Sequence, residues 1–458
     1  MKVTLVVVDG PHAGKKYEFD RHDTFIVGRS PNAQFRLSQD DEFFSRNHFL
    51  IEVNPPLCRL LDLSSRNGTF VNGNRVTSID LQNGDKIRGG RTTISVEFER
   101  PLIPLQAVSN PGAGVATIVP RGYVRPGPRS QPSDQPTIMP REGDSRQPVN
   151  PVTAAQPKYA KPDSSPFKRP ASTSSLPQFP GYRTIRTLGH GAMGVVYEAD
   201  SLVDRSRVAI KVVSPNVAAT PEDLSRFIRE ASILKDLVHP NIVRYRDLNQ
   251  RDGELYIVMD YIDGKTAETL IAESAEPMSV TRAVGLTQQL LDALSYAHQR
   301  GYVHRDVKPA NVMIEMRDGV ERLSLTDFGL AKTYQSSKLS GLTMTGEIGG
   351  TTPFMPPEQI TNYRKVEPAA DQYSAAATLY YLLTKQHIYN FPREPAQQLL
   401  MILQDPPISI DKRRPGLPGD LVEIVHTALS RDPSQRFTSV LAFQKALGRL
   451  NLEHIGIR

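Results

Sequence analysis

Seventeen of the chain's 37 prolines fall within residues 101–180, and that concentration decides how the rest can fold. The same 80 residues carry nine basic side chains (Arg121, Arg125, Arg129, Arg141, Arg146, Lys158, Lys161, Lys168, Arg169) against four acids (Asp134, Glu142, Asp144, Asp163), which is +5 of the chain's net +6. A Pro-rich, basic, aromatic-poor stretch cannot bury enough apolar surface to offset the entropy of ordering it. Residues 101–180 therefore read as a disordered linker whose charge keeps it solvated. No long Lys/Arg block points to nucleic acid or an anionic surface. Two segments, 1–100 and 181–450, are left to fold separately, in keeping with the two or three domains that 458 residues suggest. A single cysteine, Cys58, excludes an internal disulfide, so nothing requires an oxidising compartment. No apolar run approaches the roughly 18 residues of a membrane helix. Met1 to Val8 is too short and too soon charged, at Asp9, for a secretory signal, and reads as a strand. A cytoplasmic protein without a membrane span and without a nucleic-acid partner is expected.

The first segment alternates short β-rich runs with turn signals. The runs Val3–Val8, Lys16–Phe19, Thr24–Val27, Phe49–Val53, Arg59–Asp62, Thr69–Val71 and Thr93–Phe98 are punctuated by Asp9-Gly10, Asn67-Gly68, Asn72-Gly73 and Asn83-Gly84. Such a series of short strands predicts an all-β sandwich, which by itself says nothing of function. The loops carry more. Gly28-Arg29, Ser45-Arg46-Asn47-His48, and Ser64-Ser65-Arg66-Asn67-Gly68-Thr69 with Asn72-Gly73 together resemble the forkhead-associated (FHA) domain, which captures phosphothreonine. The resemblance implies a charge-assisted bond from Arg29 to the phosphate and a hydroxyl donor in Ser45. It places Arg46 and Arg66 beside the phosphate and has Asn67 hold the ligand backbone. His48 is expected to brace the loop rather than touch ligand, and Gly73 only to make a turn.

The second segment contains two spaced strings, His304-Arg305-Asp306-Val307-Lys308-Pro309-Ala310-Asn311 and Asp327-Phe328-Gly329. From a tight loop, an Asp, a Lys two residues on and an Asn five residues on can point into one small volume. A second Asp beyond the apolar Leu323 and Leu325 can return to it on a hairpin. Two carboxylates, an amide oxygen and an ammonium suit magnesium and a phosphate under transfer. Upstream lies Leu188-Gly189-His190-Gly191-Ala192-Met193-Gly194-Val195-Val196, a glycine spacing that dinucleotide-binding folds share. Those folds need a helix directly after the glycines, whereas Val208-Ala209-Ile210-Lys211 continues as strand. A helical pattern follows from Pro221 to Leu237, with Leu224, Phe227, Ile228, Ala231, Ile233 and Leu234 as its apolar positions. Glu230 within it either meets Lys211 or faces solvent beside Arg226 and Arg229. A long helix is expected from Val280 to Gln299.

Taken together these strings resemble bacterial, Hanks-type serine/threonine protein kinases, over the whole of the segment. The resemblance implies a two-lobed α+β fold and a non-specific serine/threonine protein kinase that uses ATP with Mg2+, or Mn2+ in its place. Leu188, Gly189, Gly191, Gly194, Val196 and Ala209 would enclose the nucleotide, with Lys211, paired to Glu230, on its phosphates. The apolar strand and turn from Tyr256 to Gly264 would be the hinge, where backbone groups of about Asp260 to Ile262 bond adenine, with Met259 behind them. Asp306 would orient the acceptor hydroxyl and take its proton, Lys308 would steady the transferred group, and Asn311 and Asp327 would hold the metal. His304 is expected to be a brace. Lys308-Pro309 marks the serine/threonine branch, so protein Ser/Thr hydroxyls are the expected acceptors.

Arg305 would grip a phosphorylated activation segment, with Thr343 and Thr345 as the acceptors and Thr351 placing the substrate. Trans-autophosphorylation of this kind implies a transient dimer of kinases. Two departures stand out: Met355-Pro356-Pro357-Glu358, where the family usually has Ala-Pro-Glu, and Ala375-Ala376-Ala377, where a Gly is usual. Glu358 is expected to pair with Arg436. In the linker, Thr117-Ile118-Val119-Pro120 and Thr137-Ile138-Met139-Pro140 echo each other. Either this is chance in a Pro-rich stretch, or a phosphorylated Thr117 or Thr137 is a tethered ligand for the FHA-like domain. The competing reading of the whole is a catalytically silent kinase-like scaffold that binds phosphoproteins. Phosphotransfer to a small molecule fits less well, because relatives of that kind lack the Thr-x-Thr segment and its Glu358-type ending.

Overall fold

The computed structural model describes residues 2–99 and 176–451, apart from 20–22, 32, 38–40, 55–56, 192–193, 214–227, 229–233, 252–253, 329–351 and 362–365. The linker echo at Thr117 and Thr137 therefore lies outside the described residues, as do Glu230, Thr343, Thr345 and Thr351.

Residues 2–99 form eleven strands: β1 (Lys2–Asp9), β2 (Lys16–Phe19), β3 (Asp23–Gly28), β4 (Phe35–Arg36), β5 (Phe49–Asn54), β6 (Leu57–Asp62), β7 (Thr69–Val71), β8 (Asn74–Val76), β9 (Ser78–Asp80), β10 (Lys86–Gly89) and β11 (Thr92–Glu99). They make two sheets, ordered β2-β1-β11-β10-β7-β8 and β4-β3-β5-β6-β9. All pairs are antiparallel except the short parallel β3–β4 contact. Period-two alternation sends Val3, Leu5 and Val7 of β1 into the space between the sheets, against Phe25, Val27, Phe49, Ile51 and Leu60 of the other. At the β7–β8 hairpin both Asn72 (φ 51°) and Gly73 (φ 85°) are left-handed, the requirement of a two-residue turn that follows the strand twist.

From Tyr182 the chain builds a further antiparallel sheet, β12 (Tyr182–Gly191), β13 (Gly194–Ser201), β14 (Arg207–Val213), β15 (Tyr245–Arg251) and β16 (Glu254–Asp260), ordered β12-β13-β14-β16-β15. A helical lobe follows, with a small sheet of β17 (Gly264–Thr266), β18 (Val312–Arg317) and β19 (Val320–Leu325). Its helices are α1 (Ala267–Glu273), α2 (Val280–Gln299), α3 (Pro357–Thr361), α4 (Pro368–Thr384), α5 (Pro395–Gln404), α6 (Ile410–Arg413), α7 (Gly419–Ala428) and α8 (Val440–Gly448). Helix α2 occupies the predicted range, with Ser279 capping its start by accepting from Arg282 N–H. It is a core element, with Leu286, Leu290, Leu291 and Leu294 buried and with α4 and α8 packed against it. Helix α4 is buried almost throughout. Ala375, Ala376 and Ala377 are at most 1% exposed, so small side chains admit the close packing that a glycine would also allow. Ile228, expected on an apolar helix face, is instead 45% exposed. No helix among the described residues is long and apolar enough to cross a membrane.

Candidate active site

The two lobes meet along β19. Leu325 N–H donates to Asn241 C=O, Val243 N–H donates to Leu325 C=O, and the Asn241 amide donates to Leu323 C=O at 2.7 Å. This seam delivers Asp327, two residues beyond Leu325, to the foot of β14. Asp327 has a left-handed backbone (φ 63°), and its carboxylate meets Lys211 Nζ at 2.7 Å. Lys211 sits mid-strand, opposite Val196 on one side and Ile257 on the other, so it is fixed by two neighbours and only 5% exposed. Burial opposes ionisation of Asp327, but the charge and hydrogen bond of Lys211, helped by His304 and Lys308, outweigh it and hold the carboxyl below its ordinary pKa.

The catalytic string is a loop closed by a short 3-10 turn, Pro309–Asn311. Asn311 Nδ2 donates to Asp306 C=O (2.8 Å) and to Asp306 Oδ2 (3.0 Å), and Lys308 Nζ lies 3.0 Å from the same Oδ2. Asp306 is 6% exposed, and its other oxygen, Oδ1, is buried without a hydrogen-bond partner among the described residues. An acceptor left open beside a Lys and an Asn can receive a hydroxyl hydrogen. His304 Nε2 donates to Thr326 C=O at 2.9 Å and its ring meets Phe328 edge-on, so it ties the loop to the Asp327 turn. That is the brace expected of it.

What holds the loop itself comes from a residue the sequence did not mark. Asp371, fully buried in α4, accepts from His304 N–H and Arg305 N–H (both 2.8 Å) and from His298 Nε2 (2.7 Å). Arg305 has φ 68°, a conformation costly for a non-glycine residue, and its own N–H bond to Asp371 helps maintain it. Gln359 Nε2 adds a bond to Arg305 C=O from α3. Glu358 and Arg436 form the expected pair, bidentate at 2.6 and 2.8 Å, with Arg436 also donating to Ser430 and Ala369 carbonyls. Pro356 leaves that turn intact, its carbonyl accepting from Gln359 N–H.

Above the loop, β12 and β13 close as a hairpin with Gly191 opposite Gly194, and Gly194 has φ 133°. Leu188 is 37% exposed and Val196 packs on the lobe core, while Ala209 is buried opposite Met259. Asp260 N–H donates to Arg244 C=O, and Gly264 N–H to Ile262 C=O, which fixes the course of the connection at Asp260–Ile262. Met259 lines a cavity with Leu234, Tyr245, Leu325 and Phe328, behind that connection. The structure thus brings Lys211 together with Asp327, and Asp306 together with Lys308 and Asn311.

A second constellation lies at one end of the sandwich. Gly28 is required there, because a Cβ would fall 2.1 Å from Arg46 C=O. That close approach sets the Arg29 loop against the Ser45 loop, with Arg29 N–H donating to Ser45 C=O. Ser45 Oγ accepts from Arg66 N–H at 3.0 Å, which leaves its own hydrogen to donate, and Asn67 Nδ2 donates to Phe43 C=O. Arg29, Ser45, Arg46, Arg66 and Asn67 are therefore gathered at one place, the last three exposed. His48 is fully buried, accepting from Ser45 N–H at Nδ1 and facing Gly68 C=O with Nε2. Burial lowers its pKa, and it is a structural brace. Asp62, unmarked in the sequence, anchors the other loop through Ser65 and Thr69 hydroxyls.

Residues 182–447 match the family model for the protein kinase domain, and residues 25–90 match that of the FHA domain. The serine/threonine-protein kinase PknJ of Mycobacterium tuberculosis is 36% identical over 270 residues, 58% of this chain and 45% of that protein. PknF of the same organism is 36% identical over 272 residues, 59% of this chain and 56% of that protein. The crystal structure of a cysteine-to-alanine mutant of the Mycobacterium tuberculosis PknI kinase domain is similar at 32% identity and a TM-score of 0.48, covering 60% of this chain and 98% of that one. The chain thus spans about half the length of the curated relatives it matches.

Proposed function

Since the chain belongs to the protein kinase family, we propose that it transfers the γ-phosphoryl group of ATP to Ser and Thr hydroxyls of proteins, in residues 181–450. Residues 1–100, its FHA domain, dock phosphothreonine on partner proteins, and residues 101–180 tether the two. The observation that carries the reading is the open Asp306 Oδ1, beside an Oδ2 held by Asn311 and Lys308. The oxygen-rich pair of Asn311 and Asp327, with Lys211 beside them, fits a hard divalent cation and the phosphates of ATP. When bound, the metal neutralises charge developing on the transferred group.

This chain's own residues supply the rest. Asp306 accepts the hydrogen bond of the acceptor hydroxyl at Oδ1 and takes its proton as the new bond forms. Lys308, 3.0 Å from Oδ2, steadies the transferred group. Lys211 holds the phosphates, and Glu230 is its partner in the closed state. Leu188, Gly189, Gly191, Gly194, Val196 and Ala209 cover the nucleotide, and the backbone at Asp260 and Ile262 bonds its base. Thr343 and Thr345 are the sites of autophosphorylation between two copies, read by Arg305, and Thr351 positions the acceptor. In the FHA domain Arg29, Ser45, Arg46 and Arg66 take the phosphate and Asn67 the ligand backbone.

The test is incubation of wild type and an Asp327→Ala variant with labelled ATP, magnesium and a generic protein substrate. Wild type labels Ser and Thr, and the variant falls by about 10²- to 10³-fold, as loss of a charge-stabilising group predicts. Equal labelling by both would sink the catalytic reading and leave a phosphoprotein-binding scaffold.

A further inference from the structure

A sheet face that meets water alternates apolar and polar residues, whereas a sheet covered on both faces reads as an unbroken apolar run. The second sheet of the sandwich is of the covered kind, with Phe25-Ile26-Val27 in β3, Phe49-Leu50-Ile51 in β5 and Leu60-Leu61 in β6. Phe25, Val27, Phe49, Ile51 and Leu60 fill the sandwich core. Ile26, Leu50 and Leu63 point the other way, yet are only 2%, 1% and 1% exposed, and Ala33 is 6% exposed. With Leu61 they join the apolar cluster of the catalytic segment, which includes Met355 and the fully buried Ile360. Strand β3 lies beside α3, the helix that carries Ile360.

We propose that the outer face of β3, β5 and β6 is a docking surface, and that its occupant is α3 of the same chain. The fit is chemical: an apolar face too large to leave in water meets an apolar face of a five-residue helix. It is also entropic. Two partners joined in one chain meet at an effective concentration on the order of millimolar, so a handful of side chains suffices.

Helix α3 is not a neutral anchor point. It holds Arg305 C=O through Gln359 and is pinned to Arg436 through Glu358, so the docked face bears on the element that supports the catalytic loop. On the sandwich side, the loop that buries Ser30 and Ala33 also carries Arg29. The surface is apolar and does not depend on phosphotransfer.

Hydrogen–deuterium exchange on the full chain tests this, with Leu50→Lys and Ile26→Glu as separate variants. Peptides covering residues 352–361 are expected to exchange at least about tenfold faster in both variants, as loss of a covering surface predicts. Strands β1 and β11 should stay as protected as in wild type, and small-angle scattering should show a larger radius of gyration. Unchanged exchange at 352–361 in both variants overturns the proposal. If either substitution strips protection from β1 and β11, Leu61→Lys, at a half-buried position of the same face, is judged by the same criterion.

Discussion

Replacing Asp371 by Asn removes one charge and no volume, and its cost can be worked from the contacts. The carboxylate accepts from His304 N–H and Arg305 N–H, both at 2.8 Å, and from His298 at 2.7 Å. Asparagine offers a single carbonyl where two oxygens accepted, so one backbone N–H is left facing an NH2 group. Hydrogen bonds to a charged partner contribute about 1.5–3 kcal/mol each, and an orphaned buried donor costs about 1–3 kcal/mol, so the variant should lose about 3 kcal/mol. In a unit of this size that is a fall of about 6–12 °C in Tm.

Activity should suffer separately. Freed of its anchor, the left-handed Arg305 relaxes and moves Asp306, and a displacement of about 1 Å costs about 10²-fold in kcat. The KM for ATP should change little, because Lys211 is not touched. A pH series gives an internal control. Burial works against ionisation of Asp371, yet the His298 hydrogen bond and charge, with His304 and Arg305 N–H, hold its pKa below the ordinary value. A depressed folded-state pKa stabilises above the unfolded value and stops doing so as pH falls through the folded one. The gap in stability between wild type and variant should therefore be full at neutral pH and close below about pH 4. A folded Asp371→Asn protein with wild-type kcat would refute the claim that this carboxylate positions the loop.

Two further outcomes are expected. Gly28→Ala places a methyl group into Arg46 C=O, where it would lie at 2.1 Å, so the Arg29 and Ser45 loops must part; binding of a phosphothreonine peptide, followed by calorimetry, should weaken at least about tenfold, a change of about 1.4 kcal/mol. Cys58 is 1% exposed and burial pushes its thiol pKa far up, so a maleimide should label no cysteine in the native protein and one per chain in denaturant.

Much of this was legible in the sequence, for identifiable reasons. The helix Val280–Gln299 was expected over its observed range, and its leucines repeat with helical spacing. The strand at Thr69–Val71 was bounded by the glycine turns Asn67-Gly68 and Asn72-Gly73. Strands β4, β8, β9 and β10 were missed: each has two to four residues, too few to display a period. Asp371 was passed over because its partners lie 66 and 67 residues away, and one acid in an alanine-rich helix carries no local signal. Asp62 hid in the same way at the end of a strand. The triplets Phe25-Ile26-Val27 and Phe49-Leu50-Ile51 were read as strands, but what covers their outer face is a matter of tertiary packing.

The pairing of β1 with β11, Lys2 opposite Glu99, sets an order of events during synthesis. Strand β1 can pair early with β2 on one edge, but its other edge must wait for β11, the last strand of the sandwich. Contacts of such long sequence separation form slowly, and an unpaired apolar strand is exposed to other chains meanwhile. The remaining edge of β1 stays open on the ribosome until residue 99 has emerged, and the basic, proline-rich stretch that follows is what occupies the exit tunnel as the sandwich closes. A ribosome-bound chain stopped within that stretch would already carry the complete front domain, while the catalytic segment was still to be made.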